Sequence, residues 1–240
     1  MDLMAIKTVI ILAGGEGTRL RPITQSTPKP MVDLFNKPLL EHMIKLLEKQ
    51  GVTKVILAIG YKAGKITEYF DKIKNDFSLK ITYSIEDKSL GTGGAIRKAL
   101  MHCDNETVVV LNGDSIFVTD FEKMYHLHKN NKAVVTLGLY FVEDISSSGS
   151  VKIEGDLITE FVEKPNVKKS GLINAGVYMM DKSILQKLPN MEKFSFERDF
   201  LEKEFKNHTL FGFTLDEFHT VNDPKQYAEI LKKLSDRRII

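Results

Sequence analysis

Gly14-Gly15-Glu16-Gly17-Thr18-Arg19-Leu20-Arg21-Pro22 stands directly behind the aliphatic run Thr8 to Ala13. Glycines at the end of a strand let backbone N–H groups approach phosphate oxygens with no Cβ in the way. Arg19 adds a planar, bidentate phosphate donor, and Lys29, between Pro28 and Pro30, adds a compact positive charge. A bare Gly-Gly-x-Gly fits a tight strand-to-loop turn equally well. The flanking cations and prolines tip the reading toward a polyphosphate cradle made of Leu12, Ala13, Gly14, Gly15, Gly17, Thr18 and Arg19. Two other phosphate loops fail on spacing. A dinucleotide fingerprint needs a third glycine where Arg19 stands. A Walker loop needs four residues before Gly-Lys and a hydroxyl after it, whereas Gly60-Tyr61-Lys62-Ala63-Gly64-Lys65 has three and ends in Ile66.

Further polar residues sit where strands end. Asp114 follows Val108 to Leu111, at the carboxyl end where open α/β sheets place ligands, although a lone Asp there also serves in turns. Leu90-Gly91-Thr92-Gly93-Gly94-Ala95 is a second glycine-rich turn entering a helix. It suits close packing on a flat nucleobase or ribose, with the Thr92 hydroxyl available. Glu163-Lys164-Pro165 follows a strand; alone it fits a solvated strand end, with Pro165 biasing Lys164 toward extended backbone. Asn222 and Asp223 precede Pro224, where either also serves to cap a helix.

LAGGEGTRLRP followed by TPKPM, then LGTGGAI, LNGD, EKP and NAGVY in that order, resembles the sugar-1-phosphate nucleotidyltransferase family. The resemblance runs through nearly the whole chain. It implies a Rossmann-like α/β fold, use of Mg2+, and as partners a nucleoside triphosphate and a sugar 1-phosphate. Carried onto this sequence, it makes Arg19, Lys29, Asp114 and Lys164 the catalytic candidates. Glu86, Gly91, Thr92, Asn112 and Gly113 join the cradle as nucleotide-binding residues. Gly149, Glu163, Lys164, Asn174 and Ala175 would meet the sugar. Asp114 would be one Mg2+ ligand. The family's second ligand is often an Asp before Ile-Gly, where Thr220 stands here; some branches instead take an Asn from a Val-Asn segment, which Val221-Asn222 resembles, so Asn222 is the choice and Asp223 the second choice. Mg2+ takes few carboxylates plus phosphate oxygens and water, which suits so sparse a set.

By the same resemblance, Glu86 stands at the position that reads the base in the family, where Gln is common. An ionised carboxylate only accepts hydrogen bonds, and guanine offers two adjacent donors where uracil and thymine offer one between two acceptors. That favours GTP, with a surface salt bridge as the plain alternative. LGTGGAI, LNGD and Phe194-Ser195-Phe196-Glu197 together are similar to the D-glycero-α-D-manno-heptose 1-phosphate guanylyltransferases. Mannose 1-phosphate guanylyltransferases stand close behind. A UTP-, dTTP- or CTP-using relative, and a non-catalytic nucleotide-sugar-binding regulator in which Thr220 marks a loss, remain the alternatives.

These residues need a scaffold. Thr8 to Ala13, Lys54 to Ile59, Lys80 to Ser84 and Val108 to Asn112 have strand composition and alternate with helical spacing over Pro38 to Gln50, Lys65 to Asn75 and Gly93 to His102. That order predicts a three-layer α/β/α sandwich around a mixed, mostly parallel sheet. The later part is less regular: helices over Phe121 to Asn130, Phe196 to Phe205 and Pro224 to Leu234, with strands at Ala133 to Val142, Ser150 to Glu154, Ile158 to Glu163, Gly171 to Met180 and Leu210 to Thr214. No linker or repeat divides residues 1–240. The expectation is one domain, nucleotide-binding before about residue 130 and sugar-binding after it.

Lys plus Arg total 34 against 32 Asp plus Glu, so the net charge of +2 excludes a nucleic-acid binder on bulk charge, and any anion site must be built locally. The lone Cys103 excludes an internal disulfide framework and suits a reducing cytoplasm. The apolar run Val9 to Ala13 is too short to span a bilayer, so no membrane partner is expected. His102, His126 and His128 form no metal pattern, and a homo-oligomer is left open.

Overall fold

The computed structural model describes residues 6–237. The run behind the glycine loop is β1 (Thr8–Leu12), whose side chains alternate between two cores, Val9 and Ile11 in one and Ile10 in the other. A short ribbon, β2 (Asp33–Leu34) and β3 (Lys37–Pro38), turns the chain into α1 (Leu39–Lys49). β4 (Lys54–Ile59), α2 (Ala63–Ile73), β5 (Lys80–Ile85), α3 (Gly91–Leu100) and β6 (Thr107–Asn112) follow in strict alternation. Then come β7 (Ser115–Val118) and α4 (Phe121–Asn130), the latter capped by Asp120, whose Oδ1 accepts from the N–H groups of Glu122 and Lys123. The chain continues through β8 (Val135–Val142), β9 (Gly149–Glu154), β10 (Leu157–Glu163) and β11 (Gly171–Asp181). A π-helical segment, Phe196–Leu201, runs into α5 (Glu202–Glu204), and β12 (Leu210–Thr214), β13 (Glu217–Thr220) and α6 (Pro224–Arg237) complete the order.

Nine strands form one sheet in the order β5-β4-β1-β6-β11-β8-β12-β10-β9. β1, β4, β5 and β6 pair in parallel, as do β8 and β12; β11 and β10 run against the other seven. The predicted mixed, mostly parallel sheet is therefore present. One face packs on α1, α2 and α4 through residues such as Leu40, Ile44, Phe70 and Met124. The other packs on α3 and the π-helical segment through Ile96, Leu100, Phe196 and Phe200. The core is thus two layers of apolar side chains, one on each side of the sheet.

The structure departs from the spacing in two places. A regular helix was expected over Phe196 to Phe205. Instead the Ser195 side chain accepts the Arg198 N–H and the Ser195 N–H donates to Asp199, which anchors the start of a wider turn. β7 and β13 were not expected. They pair antiparallel, Thr220 opposite Ser115, outside the main sheet. Among the described residues no helix is long and apolar enough to cross a membrane.

Candidate active site

The chain runs from β1 outward to β4 and β5, then crosses back to β6 on the other side of β1. Strand order reverses there, and the crevice above the strands' carboxyl ends is where open α/β sheets receive ligands. Leu12 and Asn112 are paired at that edge. Above them lies a pocket of about 290 Å3 lined by Leu12, Gly14, Gly15, Lys29, Glu86, Gly91, Thr92, Asn112, Gly113 and Asp114, among others.

Gly14, Gly91 and Gly113 in this lining each answer a close approach. A Cβ at Gly113 would lie 2.7 Å from the Leu12 carbonyl oxygen. One at Gly14 would lie 2.8 Å from Glu86 Oε1, so Gly14 admits the Glu86 carboxylate to the pocket. Glu86 Oε2 accepts the Leu90 N–H at 2.9 Å, which fixes the carboxylate's orientation. Gly15 differs, because a Cβ there would meet nothing within 4 Å; its side faces open space.

Four predicted cradle residues lie outside this lining, Arg19 among them, which lines the neighbouring pocket described below. The Ala13 N–H is bonded to the Ala58 carbonyl at 2.7 Å and cannot also serve a ligand. Gly17 is in the left-handed region (φ 62°) and packs on the stem of Lys29. Thr18 points to solvent in the short 3₁₀ turn Thr18–Leu20. Gly91 and Thr92 keep their place in the lining, and the glycines after Leu90 also receive the segment around Phe194. A Cβ at Gly93 would strike the Phe194 ring, and one at Gly94 the Glu192 carbonyl. The Thr92 hydroxyl is engaged too, donating to Glu197 Oε2 at 2.6 Å and accepting the Phe196 N–H at 2.8 Å.

A second pocket, about 470 Å3, opens beside the first and shares Thr92, Asn112 and Asp114 with it. It contains every residue predicted to meet a sugar: Gly149, Glu163, Lys164, Asn174 and Ala175. Asn174 Nδ2 donates to the Tyr178 hydroxyl at 2.8 Å, which donates in turn to Glu197 Oε1 at 3.2 Å. Ser195 also donates to Glu197 Oε2, at 2.8 Å. Burial, and then the nearby Glu197 carboxylate, push the Glu163 carboxyl above the usual carboxylate range, although the Lys164 ammonium at 3.3 Å pulls the other way. Burial also holds the Tyr178 hydroxyl protonated. Glu197, Arg198, Ser147, Ser148 and Tyr178 line this pocket without having been singled out for it. The available signals were NAGVY, which ends in Tyr178, and Phe194-Ser195-Phe196-Glu197, both carried only by resemblance.

Arg19, Lys29, Asp114 and Asn222 meet at the junction. The β7–β13 ribbon brings them together: the Val221 N–H donates to the Asp114 carbonyl at 2.9 Å, which sets Asn222 beside Asp114. Lys29 Nζ donates to Asp114 Oδ2 at 2.5 Å and to Asn222 Oδ1 at 2.8 Å, and Arg19 reaches the same Asn222 oxygen at 3.4 Å. Asp223 faces elsewhere. Its Oδ1 accepts the Gln226 N–H at 2.9 Å and begins α6. The two neighbours divide the two readings of Asn222-Asp223, one in the cleft and one at the cap. Two oxygens converging on one cation suit a hard divalent ion completed by ligand oxygens. Among the described residues, no cluster of three His, Cys, Asp or Glu offers a different kind of metal site.

The sequence profile described as Nucleotidyl transferase matches residues 8–218. The chain is 42% identical over 226 residues to "D-glycero-alpha-D-manno-heptose 1-phosphate guanylyltransferase" of Aneurinibacillus thermoaerophilus, covering 94% of this chain and 97% of that protein. A protein of the same description from Campylobacter jejuni is 42% identical over 225 residues, covering 92% and 97% respectively. The crystal structure of HddC from Yersinia pseudotuberculosis complexed with GMP-PN superposes with a TM-score of 0.83 at 34% identity, over 95% of this chain and 100% of that one.

Proposed function

The chain belongs to the nucleotidyl transferase family, and from that premise we propose that it transfers a guanylyl group from GTP to D-glycero-α-D-manno-heptose 1-phosphate, releasing pyrophosphate. The observation that carries this reading is the continuity of the two pockets through Thr92, Asn112 and Asp114, with Arg19 and Lys29 at their junction. A nucleotide in one and a sugar phosphate in the other would meet there. The guanylyltransferase activity of the relatives and the GMP-PN bound to HddC support guanine and the heptose over the alternatives.

A sugar-phosphate oxygen attacks the α-phosphorus in line. The new P–O bond forms as the bond to the β-phosphate oxygen breaks, and pyrophosphate departs with that electron pair. The nucleophile is already anionic, so no general base is required, and catalysis consists of alignment and charge neutralisation. Glu86, held by the Leu90 N–H, accepts the ring N–H and exocyclic amine of guanine. Arg19 holds the leaving phosphates. Lys29 neutralises the α-phosphate, and Lys164 positions the sugar phosphate. Glu163, Asn174, Gly149 and Ala175 surround the sugar, with Glu197 tying that pocket to the nucleotide side through Thr92. Asp114 and Asn222 are the residues that would hold Mg2+, which when bound supplies charge neutralisation to the phosphate oxygens.

The test is pyrophosphate release from GTP, ATP, UTP, CTP and dTTP, each against heptose, mannose and glucose 1-phosphates. GTP with the heptose phosphate should turn over fastest. A preference for UTP or dTTP would overturn the role of Glu86, and no release with any pair would favour a non-catalytic regulator. Asp114→Ala should lower kcat by at least about 10²-fold in a folded protein.

A further inference from the structure

The ammonium of Lys29 lies between the two oxygens assigned above to a divalent cation. Its bonds, 2.5 Å to Asp114 Oδ2 and 2.8 Å to Asn222 Oδ1, are short and charge-assisted. The Lys29 side chain is only 10% exposed. Mg2+ would need those same oxygens at about 2.1 Å. Ammonium and metal would then stand almost in contact, so the oxygens can serve one cation at a time. Charge points the same way. The four side chains in mutual contact carry two cations, Arg19 and Lys29, against one carboxylate, Asp114. A bare divalent ion entering that cluster meets net positive charge, whereas one bound to a triphosphate arrives as an anion.

Gly17 packs on the Lys29 Cβ, and Pro28 and Pro30 flank the residue, so the root of the side chain is fixed. Lys29 and Asp114 both line the first pocket, so the ammonium stands at the edge of the space a triphosphate would fill.

We infer that Lys29 is the resident cation of the Asp114–Asn222 site, displaced onto the phosphates when the triphosphate binds, so that a divalent ion is admitted with the nucleotide and not ahead of it. Lys29 thereby couples metal entry to nucleotide entry. The inference rests on the nucleotidyl transfer reading of the cleft, and the experiment separates the two. Free Mn2+ is titrated by electron paramagnetic resonance against wild type, Asp114→Asn, Lys29→Met, Lys29→Gln and Lys29→Met/Asp114→Asn, without nucleotide and with a non-hydrolysable GTP analogue. Wild type without nucleotide should bind Mn2+ weakly. Lys29→Met or Lys29→Gln should bind it at least about tenfold tighter, and the added Asp114→Asn should abolish that gain. Wild type alone binding as tightly as the Lys29 variants, through Asp114, overturns the inference and leaves the proposed metal site standing. Mn2+ bound in the wild-type nucleotide complex without dependence on Asp114 removes the metal site itself, and the inference with it. Should neither variant fold, the melting temperature of wild type decides. Mn2+ alone should leave it unshifted, and a rise with Mn2+ alone equal to the rise with Mn2+ and nucleotide overturns the inference.

Discussion

Glu163 meets opposing demands. The proposed sugar contact in the second pocket asks for a carboxylate, yet burial and then Glu197 raise its pKa above the ordinary value. In the unfolded chain that carboxyl titrates near 4.3. Below that pH both states carry the proton and the residue has no effect on stability. As pH rises through the unfolded and then the folded pKa, the native state holds the proton longer, and stability is lost. Glu163→Gln should therefore melt higher than wild type at pH 7 and no differently at pH 3, as calorimetry across that range would check. The same variant should raise KM for the sugar phosphate by about tenfold, the loss of one charged hydrogen-bond acceptor, with little change in KM for GTP. At this scale the sequence was informative wherever function leaves a compositional trace. Gly14 stood out by type and spacing, whereas Asn174 and the Glu163-Lys164 pair were marked only by the family resemblance, and all four line the two pockets. Ser148, Tyr178 and Glu197 were not singled out, because a serine, tyrosine or glutamate has no unusual neighbours until the fold closes the pocket around it.

Among the elements, the two glycine turns look alike in sequence and differ in what they contact. Around α3 the glycines receive the Phe194 segment, with the Phe194 N–H donating to the Leu90 carbonyl and the Gly93 N–H to the Phe194 carbonyl. After β1, the side of Gly15 is open. Gly93→Ala should thus act through packing. Its Cβ would overlap the Phe194 ring, costing about 1–3 kcal/mol in chemical denaturation, and the shift of α3 should raise KM for GTP as well. Gly15→Ala should leave stability within about 0.5 kcal/mol of wild type but weaken GTP binding at least about tenfold, because the new methyl stands where the phosphates would approach the backbone. Equal destabilisation by both substitutions would contradict this division. The alternating first half was legible because its strands and helices carry full periodicity. The β7–β13 ribbon was not, since Glu217-Phe218-His219-Thr220 is too short and too polar to show alternation. That ribbon positions Asn222 just beyond its end, which explains why the proposed second metal ligand was the least determined residue in the sequence.

In the whole molecule, the site and the opposite end of the sheet are set by the same strands. β6 carries Asn112 to the cleft at one end, and at the other its first residue, Thr107, pairs with Asp181 at the end of β11. The hydrophobic pattern showed that these strands are buried on both faces. It could not show that β11 inserts antiparallel between β6 and β8, or that β12 returns to β8 in parallel, because pairing partners far apart in the chain leave no local period. Beneath this junction His128 is fully buried, with Nδ1 bonded to the Thr136 hydroxyl at 2.9 Å and Nε2 lying 3.6 Å from Asp181. Burial dominates over Asp181 and lowers the histidine pKa to about 4. The unfolded chain takes up that proton near 6.5, so between pH 6.5 and 4 the unfolded state binds more protons and stability falls with pH. The loss from this one side chain is on the order of 3 kcal/mol by pH 4. His128→Gln, which keeps a partner for Thr136 without the titration, should melt with a much shallower dependence between pH 6.5 and 4. Its kcat at pH 7 should match wild type, because position 128 lies at the end of the sheet away from the cleft. A variant melting curve that falls as steeply as wild type over that interval would assign acid sensitivity to carboxylates elsewhere.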